Sequence, residues 1–93
     1  MIEMTHVDGA DKGKIVLYAL STCIWCKKTR KLLNELKVAY DFVEVDLLEG
    51  KDGDDADAVV QKWNAAGTYP TMVINDKTAI TGYNPDAVKK ALG

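Results

Sequence analysis

Apolar positions in this chain follow two periods, and the alternation between them outlines the fold. Residues 14–20, with the run Ile15-Val16-Leu17-Tyr18-Ala19-Leu20, are almost continuously apolar and rich in branched side chains, which predicts a buried first strand. From Trp25 the period lengthens: Trp25, Thr29, Leu32, Leu33 and Leu36 recur at helical spacing, while Lys27, Lys28, Arg30, Lys31 and Asn34 occupy much of the remaining surface. Ser21 and Thr22 are the expected N-caps of that helix. Tyr40-Asp41-Phe42-Val43-Glu44-Val45 returns to strand alternation. Asp46 to Asp57 is acidic and carries Gly50 and Gly53; it predicts a loop entering a helix that ends near Ala66, with Val59, Val60 and Trp63 facing inward. Thr71-Met72-Val73-Ile74, a turn at Asn75-Asp76-Lys77, and Thr78-Ala79-Ile80-Thr81 read as a hairpin. Asn84 can cap a last helix opened by Pro85, with Ala87, Val88 and Ala91 expected inside.

The order β-α-β-α-β-β-α predicts an α/β fold with a four-stranded mixed sheet flanked by helices. Its parallel strands are joined by helical crossovers, and an antiparallel hairpin is added. Residues 1–13 read as a polar lead-in, where Met4-Thr5-His6-Val7 carries only a weak edge-strand pattern, and residues 14–93 as the domain. A chain of 93 residues, 47% apolar, suits a single core. A formal charge of −2 gives no global reason to expect nucleic acid or an anionic membrane as partner. The apolar runs are too short to span a bilayer. Residues 1–8 lack a basic stretch followed by a long apolar one, so no secretory signal and a cytoplasmic location are expected.

Both cysteines lie in Cys23-Ile24-Trp25-Cys26. A disulfide closing so small a loop constrains the unfolded chain little, so a redox or metal role is favoured over a structural one. Their place between a buried strand and a helix start matters more than the motif. The first N–H groups of a helix lack intrahelical partners and its dipole is positive there, which favours thiolate, the species that attacks disulfides. Cys23 is therefore expected to attack an external disulfide, and Cys26, one turn further in and more buried, to resolve the mixed disulfide. Zinc usually takes four ligands, and the chain offers two thiols and the remote His6, so no metal site is expected within one chain. His6 reads as an exposed side chain and not as a general base. The alternative from another class is a carrier in which two chains share an iron–sulfur cluster through Cys23 and external thiols. Trp25 is either an aromatic contact for substrate or an anchor for the helix start. The basic run at Lys27–Lys31 reads as a solvated face that also attracts acidic partners, and the acidic stretch with Asp52, Asp54, Asp55 and Asp57 as a solvated helix start. By periodicity, Pro70 is a strand-entry residue.

Three motifs in order, strand–Cys-x-x-Cys–helix, Thr68-Tyr69-Pro70-Thr71, and Thr81-Gly82-Tyr83 before the last helix, resemble a glutaredoxin over residues 14–92. The order of elements likewise suits the minimal thioredoxin-like architecture. The resemblance implies a cis Pro70 beside the thiols, with Tyr69 offering its backbone to substrate. It implies a substrate-binding set of Trp25, Thr68, Tyr69, Pro70, Gly82 and Tyr83 around catalytic Cys23 and Cys26. Glutathione-using glutaredoxins carry a basic residue where this chain has Leu20, and a Gly-Gly or Gly-Cys-Asp motif where it has Gly82-Tyr83-Asn84-Pro85-Asp86. The latter pattern is more similar to NrdH-like redoxins, which serve ribonucleotide reductase and are reduced by thioredoxin reductase, although their aromatic residue before the glycine is absent. Leu17 stands where thioredoxins bury an aspartate. The resemblance thus implies a monomer acting on disulfide-containing proteins, ribonucleotide reductase among them. Electrons would come from a thioredoxin-reductase-like flavoenzyme or a small thiol co-substrate, with no cofactor beyond the cysteine pair.

Overall fold

A computed structural model describes residues 4–92, so the first three residues of the expected lead-in and the final glycine lie outside the described residues. The strands are β1 (Thr5–Val7), β2 (Ile15–Ala19), β3 (Tyr40–Glu44), β4 (Thr71–Ile74) and β5 (Thr78–Thr81), and the helices are α1 (Ile24–Leu36), α2 (Lys51–Trp63) and α3 (Pro85–Leu92). The strands form one mixed sheet in the order β1-β3-β2-β4-β5, with β2 and β3 parallel and every other pair antiparallel. The predicted α/β architecture is present, but the expected four strands are five. Thr5–Val7 pairs with Tyr40–Phe42, because an edge strand gains its ladder bonds from the neighbour and so needs little apolar pattern of its own. Gly9 allows the chain to leave that edge: a Cβ there would sit 2.5 Å from the backbone carbon of Val38.

The sheet divides two apolar layers. Leu17, Tyr40, Phe42, Met72, Ile74 and Ile80 pack against α1 and α3 through Cys26, Leu32, Leu33, Val88 and Leu92. Val16, Tyr18, Val43 and Val73 pack on the other face against Ala56 and Val60 of α2. Side chains such as Leu17 and Leu33, both 0% exposed, each contribute about 1.5–3 kcal/mol by leaving water.

The helices carry three corrections, two at their boundaries and one on an inward face. Cys23, and not Ser21 or Thr22, caps α1: its backbone is extended and its Sγ accepts the Cys26 N–H at 3.2 Å. The second helix ends at Trp63, short of Ala66, because Asn64 takes an extended backbone and turns its amide to the next loop. In α3, Ala91 is exposed and Leu92 takes the inward place, four residues after Val88. As expected, Asn84 caps that helix, its Oδ1 accepting the Ala87 N–H at 3.2 Å. No helix among the described residues is long and apolar enough to cross a membrane.

Candidate active site

The topology gathers the chemistry at one end of the sheet. Because β2, β3 and β5 run in one direction and β4 in the other, the segments after the first three and the segment before β4 meet there. Cys23 follows β2, Asp46 follows β3, Gly82 and Tyr83 follow β5, and Tyr69-Pro70 leads into β4. The sequence-predicted residues Cys23, Cys26, Trp25, Thr68, Tyr69, Pro70, Gly82 and Tyr83 therefore belong to one region of the fold.

The two thiols, both free, differ sharply in environment. Cys23 is partly exposed at the start of α1, while Cys26 is 1% exposed inside the core. Burial pushes the Cys26 thiol up to about 12, helped by its hydrogen bond to Cys23, by the nearby negative charge of Cys23 when ionised, and by Asp46; a backbone hydrogen bond from Leu20 opposes this. Cys26 is thus held as a thiol in the reduced protein. Leu20, where a cation would stand in glutathione-using relatives by the resemblance, is half-buried and packs against the α2-side core.

The Tyr69-Pro70 peptide is cis, as the resemblance implied. The Pro70 carbonyl accepts the Gly82 N–H at 2.8 Å, which joins the loop before β4 to the loop after β5. Gly82 holds a φ of +72°, a conformation that a side chain would strain. Tyr69 donates its hydroxyl to Asp57 at 2.7 Å, and burial together with that carboxylate raises its ionisation, so it stays a neutral phenol. Beneath it, Asn64 is 8% exposed, and its Nδ2 donates toward the Thr68 carbonyl, Thr68 Oγ1 and Thr71 Oγ1 at 3.0–3.2 Å. Thr68, itself exposed, is tied to Asn64 and Thr71 through its carbonyl and to Asn64 through its hydroxyl oxygen.

Trp25 is 51% exposed, which excludes the core-anchor alternative. Its indole stacks on Tyr83 with centroids 5.7 Å apart, and Lys28 Nζ lies 4.6 Å from the indole centroid. Trp25, Tyr69, Gly82 and Tyr83 line an open slot of about 220 Å³.

Three residues escaped the sequence reading. Asp46 accepts hydrogen bonds from the Ser21 backbone N–H and hydroxyl, which hold its carboxyl below the usual carboxylate range and fasten the turn before Cys23 to the segment after β3. Asp57 has no sequence signal for its role. Asn64 has one: Ala56, Val60 and residue 64 share an inward face four residues apart, and a polar residue in that register needs buried partners. Among the described residues, no group of three or more His, Cys, Asp or Glu side chains is placed to hold a metal ion.

The glutaredoxin family model matches residues 15–79. The crystal structure of the glutaredoxin from Methanosarcina mazei Go1 is 47% identical, with a TM-score of 0.91 over 97% of this chain and 87% of that one. The methanoredoxin of Methanosarcina acetivorans is also 47% identical, with a TM-score of 0.89 over 91% of this chain and 90% of that one. Glutaredoxin-C6 of Oryza sativa subsp. japonica is 29% identical over 63 residues, 68% of this chain. The chain spans 54–61% of the length of the curated plant relatives it matches.

Proposed function

The chain belongs to the glutaredoxin family, and from that premise we propose that it is a thiol–disulfide oxidoreductase that reduces disulfides by a dithiol mechanism. The observation that carries this reading is the asymmetry of the pair, a partly exposed Cys23 at a helix start beside a Cys26 that is 1% exposed and held protonated. Cys23 as thiolate attacks one sulfur of the substrate disulfide. The Cys23–substrate bond forms, the substrate S–S bond breaks, and the other substrate sulfur leaves with the electron pair. Once Cys23 is bonded, it no longer carries the charge that helps keep Cys26 protonated. Cys26 then gives its proton to the departing thiolate or to solvent and attacks Cys23, forming the Cys23–Cys26 disulfide and releasing the second substrate thiol. The substrate gains two electrons and two protons, and the protein dithiol loses them.

The backbone around Tyr69-Pro70 supports an extended substrate lying beside Cys23, in the manner of an added strand. Trp25, Thr68, Gly82 and Tyr83 supply the walls and supports of that site. Protein disulfides are the proposed substrates, in the cytoplasm, for a monomeric enzyme. The donor that restores the dithiol is either a thioredoxin-reductase-like flavoenzyme or a small thiol. The absence of a cation at Leu20 favours weak use of glutathione, and parallel assays with glutathione plus its reductase and with NADPH plus thioredoxin reductase separate the donors.

The test of the mechanism uses the pre-reduced protein and bis(2-hydroxyethyl) disulfide. Cys23→Ser lowers the reaction rate by about a thousandfold or more, and Cys26→Ser accumulates a mixed disulfide visible as added mass. Full activity in Cys23→Ser overturns the reading.

A further inference from the structure

Among the described residues, the large apolar side chains left most exposed are Ile24, Trp25, Leu47 and Tyr83. All four stand at the end of the sheet that carries Cys23: two open α1, one follows β3 and one follows β5. Elsewhere among the described residues, large apolar side chains are buried or only partly exposed. An apolar cluster confined to the rim of a reactive sulfur marks a contact surface more than incomplete packing.

Within that rim the slot has an unusual chemical simplicity. It is lined by Trp25, Tyr69, Gly82 and Tyr83, three of them aromatic. Two of the polar groups that these residues own are already engaged: the Tyr69 hydroxyl donates to Asp57, and the Gly82 N–H donates to the Pro70 carbonyl. Among the described residues, no carboxylate or ammonium lines the slot. A cation is disfavoured there because Lys28 already lies 4.6 Å from the indole centroid. A carboxylate would find no cation among the lining residues to offset any hydration it lost. At about 220 Å³ the space is smaller than the roughly 300–1,000 Å³ of sites that enclose a whole small molecule, and matches a single side chain.

The geometry points to this slot as a specificity subsite that takes one aromatic or large aliphatic side chain of a polypeptide substrate, adjacent to the cysteine whose disulfide is reduced. The inference rests on the dithiol reading above and narrows its substrate class. A peptide lying along Tyr69-Pro70 with its sulfur at Cys23 would place a neighbouring side chain between Tyr69 and the Trp25–Tyr83 stack. There it exchanges water for aromatic surface.

The test is a single-turnover comparison, which needs no knowledge of the donor. Pre-reduced protein is mixed with disulfide-linked dimers of an acetylated Ala-Xaa-Cys-Xaa-Ala amide, with Xaa as Phe, Ala, Glu or Lys, and with bis(2-hydroxyethyl) disulfide. Released thiol peptide is measured against time. The Phe peptide reacts about tenfold faster than the Ala peptide, the worth of one added aromatic contact, and the Glu and Lys peptides gain nothing over Ala. In Tyr83→Ala and in Trp25→Ala, each checked for folding by circular dichroism, the Phe-to-Ala ratio falls below about threefold, since each variant deletes one of the three aromatic lining residues. Equal Phe and Ala rates in the wild-type protein, a preference for Glu or Lys, or a Phe preference surviving in both variants overturns the subsite. Turnover of bis(2-hydroxyethyl) disulfide without any peptide preference overturns the subsite alone, whereas no reaction with any disulfide overturns the dithiol reading beneath it.

Discussion

The two ends of the sheet are built on opposite principles. At the end away from the thiols, the connections are closed by local bonds. The Asn75 side chain accepts the Lys14 N–H at 2.8 Å while its own backbone N–H donates to the Lys14 carbonyl at 2.7 Å. Lys14 reaches Asp76 at 3.1 Å, and the Ala39 N–H donates to the Ala10 carbonyl at 2.9 Å beside the start of β3. At the thiol end, polar groups are also satisfied, through Asn64 and Asp46, but large rings point into water and a sulfur occupies the cap position of α1. The difference teaches where this fold spends its stability. One end holds the sheet together, and the other uses that rigidity to keep reactive and apolar groups exposed.

The sharpest way to probe the thiol end is by pH. With Cys26 pushed up to about 12, its thiolate is a minute fraction near neutrality, about one part in a hundred thousand at pH 7. Iodoacetamide at pH 7–8 is expected to modify Cys23 and leave Cys26 intact, as peptide mapping of the reduced protein would show. The linked stability has a definite sign. The folded state holds the Cys26 proton more tightly than the unfolded chain, so this contribution is complete below the ordinary value of about 9 and is lost as pH rises toward about 12. Equal alkylation of both cysteines near neutrality would remove the asymmetry on which the mechanism depends.

Next in size is the buried amide beneath the Tyr69-Pro70 loop. Asn64→Ala leaves the Thr68 carbonyl and Thr71 hydroxyl without that partner, at a cost of about 2 kcal/mol in urea unfolding. Measured where the variant is fully folded, its reduction of bis(2-hydroxyethyl) disulfide falls about tenfold, because the loop that leads into β4 at the thiol end of the sheet is no longer fixed. A loss of stability with an unchanged rate would make Asn64 a structural residue only.

At the opposite end the expected split reverses. Gly13 has a φ of +103°, and a Cβ there would sit 2.5 Å from Asn75 Oδ1, the atom that accepts the Lys14 N–H. Gly13→Ala is therefore expected to cost about 1–3 kcal/mol while the rate of disulfide reduction by the folded protein stays at the wild-type value. A rate that falls with stability would show that the two ends are coupled.

The same contrast explains what the sequence discloses. Long-period and alternating patterns report burial, so Ile15–Ala19, the Leu32-Leu33 face and the 71–81 hairpin are legible, as is the helix start bearing Cys23. Thr5–Val7 is barely legible because a short edge strand is specified by its neighbour's free backbone groups and not by its own side chains. The cap of α1 lies beyond the expected Ser21 and Thr22 because sulfur is a poor statistical cap, yet Cys23 fills the role when the chain turns there. Asp46 and Asp57 act through partners 25 and 12 residues away, and no periodicity encodes a hydrogen bond across such a separation. Trp25 is ambiguous in sequence for a related reason: whether a ring at a helix start lies inside or outside depends on the distant segment after β5, and Tyr83 settles it by stacking.

The smallest expected effect lies on the edge strand. His6 Nδ1 lies 2.6 Å from Asp41 Oδ1 across the β1–β3 pair, and Nε2 lies 3.2 Å from Asp8 Oδ1. The Asp41 hydrogen bond, with the charges of Asp41 and Asp8, raises the His6 ionisation above the usual 6.5. Since the folded state holds this proton more tightly, the contribution to stability is complete below about 6.5 and disappears as pH rises through the elevated folded value. Both side chains are solvated, so added salt should weaken the effect. Asp41→Asn is expected to move the His6 midpoint, followed by proton NMR of the imidazole, back toward 6.5, and to leave the reactivity of Cys23 untouched. An unmoved midpoint would show that the β1–β3 edge is held by its backbone ladder alone, and would make the end of the sheet opposite the thiols less dependent on side-chain pairing than its hydrogen bonds imply.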